Sequence, residues 1–251
     1  MVSLDKIERR TKKRSYGKGK AGKVARLKDA ETTNRSALVR IYIEGGAPGN
    51  NNVRFFRQAW SKFLRSLDTV AKENGFGGIT IIQGGGRYNA HDQFKNGAFT
   101  GEYDLRILLL DSEIPGVPLV NLWNTLLAPA CGGYTCPSWA TDDNLYLMVP
   151  TVEAWLMTDH DALADYYRRN FDRSKLLPSN PFLEGKIKTD LDASLSAASQ
   201  HTQKGVYSHG EGNKIIEFIR QDIVTRLPHA ERLFQHLATV IATNNPYLKR
   251  I

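Results

Sequence analysis

The feature that most constrains this chain is a series of short apolar runs, each closed by a break and followed by a helical or irregular stretch. Leu38-Val-Arg-Ile-Tyr-Ile43 is rich in β-formers and stops at Glu44-Gly45-Gly46. Ile79-Thr-Ile-Ile82 stops at Gly84-Gly85-Gly86. Leu105-Arg-Ile-Leu-Leu-Leu110 is nearly all apolar, which marks a strand covered on both faces and therefore central in its sheet. Leu145-Tyr-Leu-Met-Val149 is the last of the series. Between the first two runs, Phe56, Ala59, Trp60, Phe63, Leu64, Leu67, Val70 and Ala71 recur at three- and four-residue steps. That spacing predicts one amphipathic helix, opened by the capping residues Asn50-Asn51-Asn52 and ended at Asn74-Gly75. A short helix is expected from about Tyr88 to Phe94. Strands alternating with helices predict an α/β protein with a parallel-sheet core.

Beyond the sheet the pattern changes. Residues 114–141 carry Pro115, Pro118, Pro129 and Pro137 and read as irregular. Helices are expected over Val152–Met157, Asp161–Arg169, 187–198, 212–220 and 229–242, with no further strand. The organisation expected is a basic flexible leader at 1–36, an α/β domain at 37–158, and a helical C-terminal part at 159–251 packed on it.

The charge is unevenly placed. The chain holds 34 Lys and Arg against 26 Asp and Glu, a formal net charge of +8. Residues 1–37 alone hold twelve basic and four acidic side chains, so the remainder is neutral. The leader has few large apolar residues and cannot bury enough surface to offset the entropy of ordering it. It reads as a solvated arm, or as one that docks on phosphates or an acidic partner. No apolar run approaches the roughly 18–20 residues of a membrane span. The start, Met1-Val-Ser-Leu-Asp-Lys6, has no apolar signal core, so a cytoplasmic location is expected.

Acids gather where strands end. Glu44 follows the first strand, Asp111 and Glu113 follow the third, and Glu153 lies in the first helical turn after the fourth. In an open parallel sheet the carboxyl ends form one edge, and ligands bind there. Neighbouring strands are about 4.8 Å apart, so these four acids could converge within reach of one ion. Clustered carboxylates repel, and a divalent cation removes that cost. Oxygen ligands suit Mg²⁺ or Mn²⁺, ions that activate water and stabilise a leaving oxygen in phosphodiester cleavage. Each acid taken singly is better explained as a loop-facing cap or surface group; it is their gathering at three strand ends that points to an ion. Asp143 precedes the fourth strand. It reaches the same edge only if that strand is antiparallel, in which case Glu153 leaves it; Asp143 is thus a reserve ligand.

Ile43-Glu44-Gly45 and Leu110-Asp111-Ser112-Glu113 resemble the Glu-Gly and Asp-x-Asp signatures of Toprim domains, with Glu113 in place of the second Asp. More closely, the chain resembles a Toprim-like bacterial family encoded beside ATPases in anti-phage defence loci. The matching stretches are Tyr42-Ile-Glu-Gly-Gly46, Gly84-Gly-Gly-Arg87, Leu109-Leu-Asp-Ser-Glu113, Asp142-Asp143-Asn144, Leu147-Met-Val149, Glu153-Ala-Trp155, Lys188-Thr-Asp-Leu191, Gly205-Val-Tyr-Ser208 and Pro228-His-Ala-Glu-Arg232-Leu-Phe234. They span about residues 38–238 and leave out the leader. The resemblance implies a Toprim-like sheet and Mg²⁺-dependent nucleic-acid chemistry, with nuclease action on DNA or RNA and an ATPase partner. Under it, Glu44, Asp111 and Glu113 bind the metal, Glu44 alternatively acts as general acid/base, and Glu153 completes a second position. The other expectation is a non-catalytic binding or regulatory subunit of an ATPase complex with a degenerate site. Oligomeric state, including homo-oligomerisation, stays open.

Other residues carry weaker signals. Gly84-Gly85-Gly86-Arg87 joins a strand to a helix, where backbone amides and Arg87 can hold a substrate phosphate; a plain tight turn explains the glycines as well. Lys188, with Lys186, approaches a scissile phosphate if the helical part folds over the acid edge. No Gly-Lys-Ser/Thr loop follows a strand, so no nucleotide hydrolysis is expected. Cys131 and Cys136 lack partners at zinc spacing. His91 and His209 read as polar surface groups, and Trp60, Trp123, Trp139 and Trp155 as core or interface.

Overall fold

The computed structural model describes residues 39–46, 50–97, 105–127, 133–179 and 181–243, so the leader and Cys131 lie outside the described residues. The sheet strands are β1 (Val39–Glu44), β2 (Ile79–Gly85), β3 (Leu105–Asp111) and β4 (Leu145–Met148). Every pairing is parallel, in the order β2-β1-β3-β4. The α/β class and parallel core expected from the alternation are therefore present, and the most apolar run, β3, is an interior strand.

Side-chain alternation divides the core into two. Val39, Ile41, Ile43, Ile81, Ile107, Leu109, Tyr146 and Met148 point to one face. Tyr42, Leu108, Leu110, Leu145, Leu147 and Val149 point to the other. A period of two along buried strands gives each face its own apolar set, and each must be covered. The first face is covered by α1 (Asn50–Phe63) and α2 (Arg65–Glu73) through Phe56, Trp60, Phe63 and Leu67. The second is covered by α3 (Arg87–Asn96) and α4 (Leu122–Leu127) through Ala90, Phe94, Leu122, Trp123 and Leu126.

The remaining helices are α5 (Val152–Thr158), α6 (His160–Tyr167), α7 (Lys188–Ser199), α8 (His209–Ile215), α9 (Gln221–Val224) and α10 (Pro228–Thr243). They join the first face in one apolar cluster that runs from Val39 to Ile241. The C-terminal helices therefore share their core with the sheet. Short α5 is buried almost throughout and is held by an aromatic knot. Trp155 packs on Trp60 at 6.2 Å, Phe63 at 6.1 Å and Phe234 at 6.1 Å between ring centroids.

Three local expectations are corrected. The single helix expected over 50–73 is two helices broken at Leu64, and the 212–220 segment is the end of α8 followed by a turn, with α9 starting only at Gln221. The irregular 114–141 stretch contains α4. Each helix is short and defined by the surface it covers, which periodicity alone does not delimit.

The connectivity fixes where a cleft must lie. The chain leaves β1 for β2 on one side, then returns past β1 to β3 and β4 on the other. The strand order reverses between β1 and β3, so their carboxyl ends part and leave a crevice.

Candidate metal centre

Glu44 is the last residue of β1 and Asp111 the last of β3, so the two stand on either side of that crevice. Glu113 follows Asp111 through a short anchored turn. The Ser112 amide donates to the Met148 carbonyl at 3.0 Å and the Glu113 amide to the Pro150 carbonyl at 2.8 Å. The Ser112 hydroxyl donates to the Ile114 carbonyl at 2.6 Å. Glu113 sits at φ 63, a left-handed conformation that is uncommon outside glycine and that the surrounding bonds sustain. The result is one oxygen from each of Glu44, Asp111 and Glu113 within 4.8 Å of the others. Carboxylate oxygens sharing one hard cation at about 2.0–2.6 Å lie no more than about 4–5 Å apart, so this donor set fits such an ion.

Two cations are already in place. The Arg87 Nε donates to Glu44 Oε2 at 3.2 Å, and its Nη2 donates to the Asp111 carbonyl at 2.7 Å and lies 3.5 Å from Glu113 Oε1. Lys188 Nζ, from α7, donates to Glu113 Oε2 at 3.3 Å. The Asp111 amide donates to Glu44 Oε2 at 3.1 Å, and Asp111 Oδ1 accepts from the Val152 amide at 2.9 Å, at the start of α5.

Glu153 lines the same cleft but faces a second group. Its Oε1 accepts from the Tyr207 hydroxyl at 2.6 Å and lies 3.0 Å from His209 Nδ1. His209 Nε2 is 3.6 Å from Asp192 Oδ2, and Glu153, Asp192 and His209 again offer ligand atoms within 4.8 Å of one another. The cleft of about 360 Å³ holds Glu44, Asp111, Glu113, Glu153, Lys188 and His209 on one lining.

The electrostatics record crowding. Burial pushes the Asp111 carboxyl well above the ordinary carboxylate range, and Glu44, Glu153 and Glu113 push it further. Burial also raises Glu44, against the opposing pull of Arg87. Burial raises Asp192 as well, with Glu153 adding to it. Glu153 goes the other way: burial pushes it up, but hydrogen bonds from neighbours including Tyr207 and His209 outweigh that and hold it low. Lys188 loses hydration on partial burial, yet Glu113, Asp111 and Glu153 raise it overall. When ionised, these five acids outnumber the one arginine and one lysine beside them, an excess of negative charge that a further cation would neutralise.

The glycines of β2 have assigned work. A Cβ on Gly84 would lie 2.3 Å from Ala90 Cβ and 2.6 Å from its Cα, so only glycine lets α3 approach β2. Gly85, at φ 69, exchanges backbone hydrogen bonds with Gly45. Together they set α3 so that Arg87 reaches Glu44, Glu113 and the Asp111 carbonyl.

Of the four acids expected to converge, Glu44, Asp111 and Glu113 do, while Glu153 stands with Asp192 and His209; Lys188 lies beside Glu113, and Arg87 contacts the carboxylates of Glu44 and Glu113 and the main-chain carbonyl of Asp111. Asp143 is corrected out of the site. β4 runs parallel to β3, and Asp143, in the turn that precedes β4, stands at the opposite edge of the sheet. His91 is buried beside Trp123 and Tyr134, with Nε2 3.0 Å from the Thr135 carbonyl, and faces neither solvent nor the cleft. Asp192 was not singled out by the sequence, and His209 read as a surface group. The signal for Asp192 was its place four residues after Lys188, on the same face of α7. His209 had only its glycine-flanked loop. Comparison of the chain with protein-family models, curated proteins and solved structures yields no match.

Proposed function

We propose that the chain is a divalent-metal-dependent phosphodiester hydrolase, a nuclease acting on DNA or RNA. The observation that carries this is the Glu44–Asp111–Glu113 cluster at the switch point of a parallel sheet, in a cleft that also holds Lys188. Glu44, Asp111 and Glu113 would hold Mg²⁺ or Mn²⁺, which when bound polarises water and stabilises a leaving oxygen. Lys188, kept protonated by its acidic neighbours, is placed to neutralise a phosphate entering the cleft. Arg87 pre-sets Glu44 and Glu113, and its guanidinium is the group an incoming phosphate would compete for. Phage defence and an ATPase partner rest on the resemblance of the sequence motifs.

The test is cleavage of single-stranded DNA, duplex DNA and RNA by the purified chain with Mg²⁺ or Mn²⁺, alone and with the co-purified ATPase. Glu44→Gln and Asp111→Asn should each remove cleavage while the circular-dichroism spectrum stays native. If both variants still cut, the assignment is wrong. A second reading, the non-catalytic regulatory subunit, draws on Arg87, whose guanidinium bridges the carboxylates of Glu44 and Glu113 and supplies positive charge of its own. Calorimetry separates the two: stoichiometric Mn²⁺ binding supports the hydrolase, and no binding supports the subunit.

A further inference from the structure

An open groove of about 670 Å³ runs beside the acid cleft, between α1 and α8. It meets the cleft at Gly46, Gly210 and Asn213, which line both. Its walls are unlike a core. Phe55 is 64 % exposed and Phe218 39 % exposed, although both are large apolar side chains. Two exposed rings lining one groove form an apolar patch of the kind that marks a binding surface. Tyr166 forms the floor, edge-on to Phe218 at 5.4 Å.

Positive charge accompanies the rings. Lys204 Nζ lies 3.5 Å over the Tyr166 ring, and Lys62 Nζ lies 5.1 Å from the Phe218 ring centroid. Helix α1 supplies Phe55, Gln58 and Lys62 on one line and carries Arg54 and Arg57 as further exposed cations; it contains no acidic residue. The two acids in the groove already face lysines: Glu211 accepts from Lys214 at 2.9 Å and from the Tyr166 hydroxyl at 3.0 Å, and Glu217 lies 3.9 Å from Lys62. Asn52, Gln58 and Asn213 add amides that can hydrogen-bond base edges or sugars.

Two exposed aromatic rings, with Lys204 and Lys214 in the same lining and Lys62 beside Phe218, along a groove that meets a carboxylate cluster, match the chemistry of an unpaired polynucleotide strand. Every base has a face to stack, and every linkage has a charge to neutralise. A duplex hides its base faces and cannot use Phe55 or Phe218. We propose that this groove binds single-stranded nucleic acid and leads it to the Glu44–Asp111–Glu113 cleft. The inference rests on the nuclease reading and names its substrate class.

The test is fluorescence anisotropy of the full chain with labelled oligothymidine, oligouridine and a duplex of equal length. It is run in EDTA so that cleavage plays no part. Single strands should bind more tightly than the duplex. Phe55→Ala and Phe218→Ala should each weaken single-strand binding about tenfold, the usual loss for one stacking ring, and Phe55→Ala, at the more exposed ring, should do so with no change in melting temperature. The thymidine and uridine arms distinguish DNA from RNA. Equal affinity for the duplex, or single-strand affinity untouched by both substitutions, overturns the proposal. So does a concentration-dependent dimer that Phe55→Ala dissolves while oligonucleotide binding persists. Metal-dependent cleavage with unaltered affinity in both variants would sink the groove and keep the nuclease. Ring-dependent binding without cleavage under any metal would keep the groove and sink the nuclease.

Discussion

Asp111→Asn tests the metal centre through stability as well as activity. The substitution keeps the shape and keeps an oxygen to accept from the Val152 amide, but removes one charge from a group of three within 4.8 Å. Two like charges at that distance repel by roughly 3 kcal/mol at an effective dielectric near 20. Glu113 is one-third exposed and Lys188 attracts Asp111, which reduces the net gain. Without metal, and at a pH high enough to ionise Asp111, Asp111→Asn should therefore stabilise the chain by on the order of 2 kcal/mol, or about 4–8 °C for a domain of this size. With metal the order reverses. An ion at a hundred times its dissociation constant stabilises the wild type by about 2.7 kcal/mol, or about 5–11 °C, and should do little for the variant.

The pH dependence carries the same sign. Asp111, Glu44 and Asp192 titrate above their ordinary values in the fold, so the folded chain holds protons that the unfolded chain has released. Metal-free stability should then be highest below about pH 4 in this respect and fall as pH rises through the raised values. The slope should be shallower in Asp111→Asn. Differential scanning fluorimetry across pH, in EDTA and in Mn²⁺, reads all of this. A variant less stable than wild type in EDTA, or one with an undiminished Mn²⁺ shift, refutes the reasoning.

Two further outcomes concern the scaffold. Gly84→Ala drives a Cβ into the backbone and Cβ of Ala90 and should cost about 3 kcal/mol, the upper end for overpacking, lowering the melting temperature by about 6–12 °C. Buried Asp159 accepts from Arg220 Nε at 2.8 Å and Nη2 at 2.7 Å and from the Ala162 amide at 3.1 Å; burial raises its carboxyl, but these bonds outweigh that and hold it low. Its contribution is present above about pH 4 and is lost as pH falls through the lowered value, so Asp159→Asn should cost about 1–3 kcal/mol at neutral pH and converge with wild type near pH 2 in urea denaturation.

What the sequence determined is local. The apolar runs ending at Gly45, Gly84 and Asp111 place strands, because buried parallel strands need apolar side chains on both faces and a break to turn. Glu44 and Asp111 follow, since a residue at the end of a strand cannot be far from that strand's edge. Tertiary structure decided the rest. The parallel sense of β4 sent Asp143 to the far edge, and no property of residues 142–149 alone states that sense. The approach of α3 at Gly84 decided that Arg87 points into the acids. His209 reaches Glu153 across 56 positions of sequence, and Lys188 reaches Glu113 across 75. Such contacts are set by how α7 and α8 bury Leu191, Leu195 and Ile215 among α1, α5 and α6. Local pattern carries no record of that packing, so the edge of the cleft was legible in the sequence and its opposite wall was not.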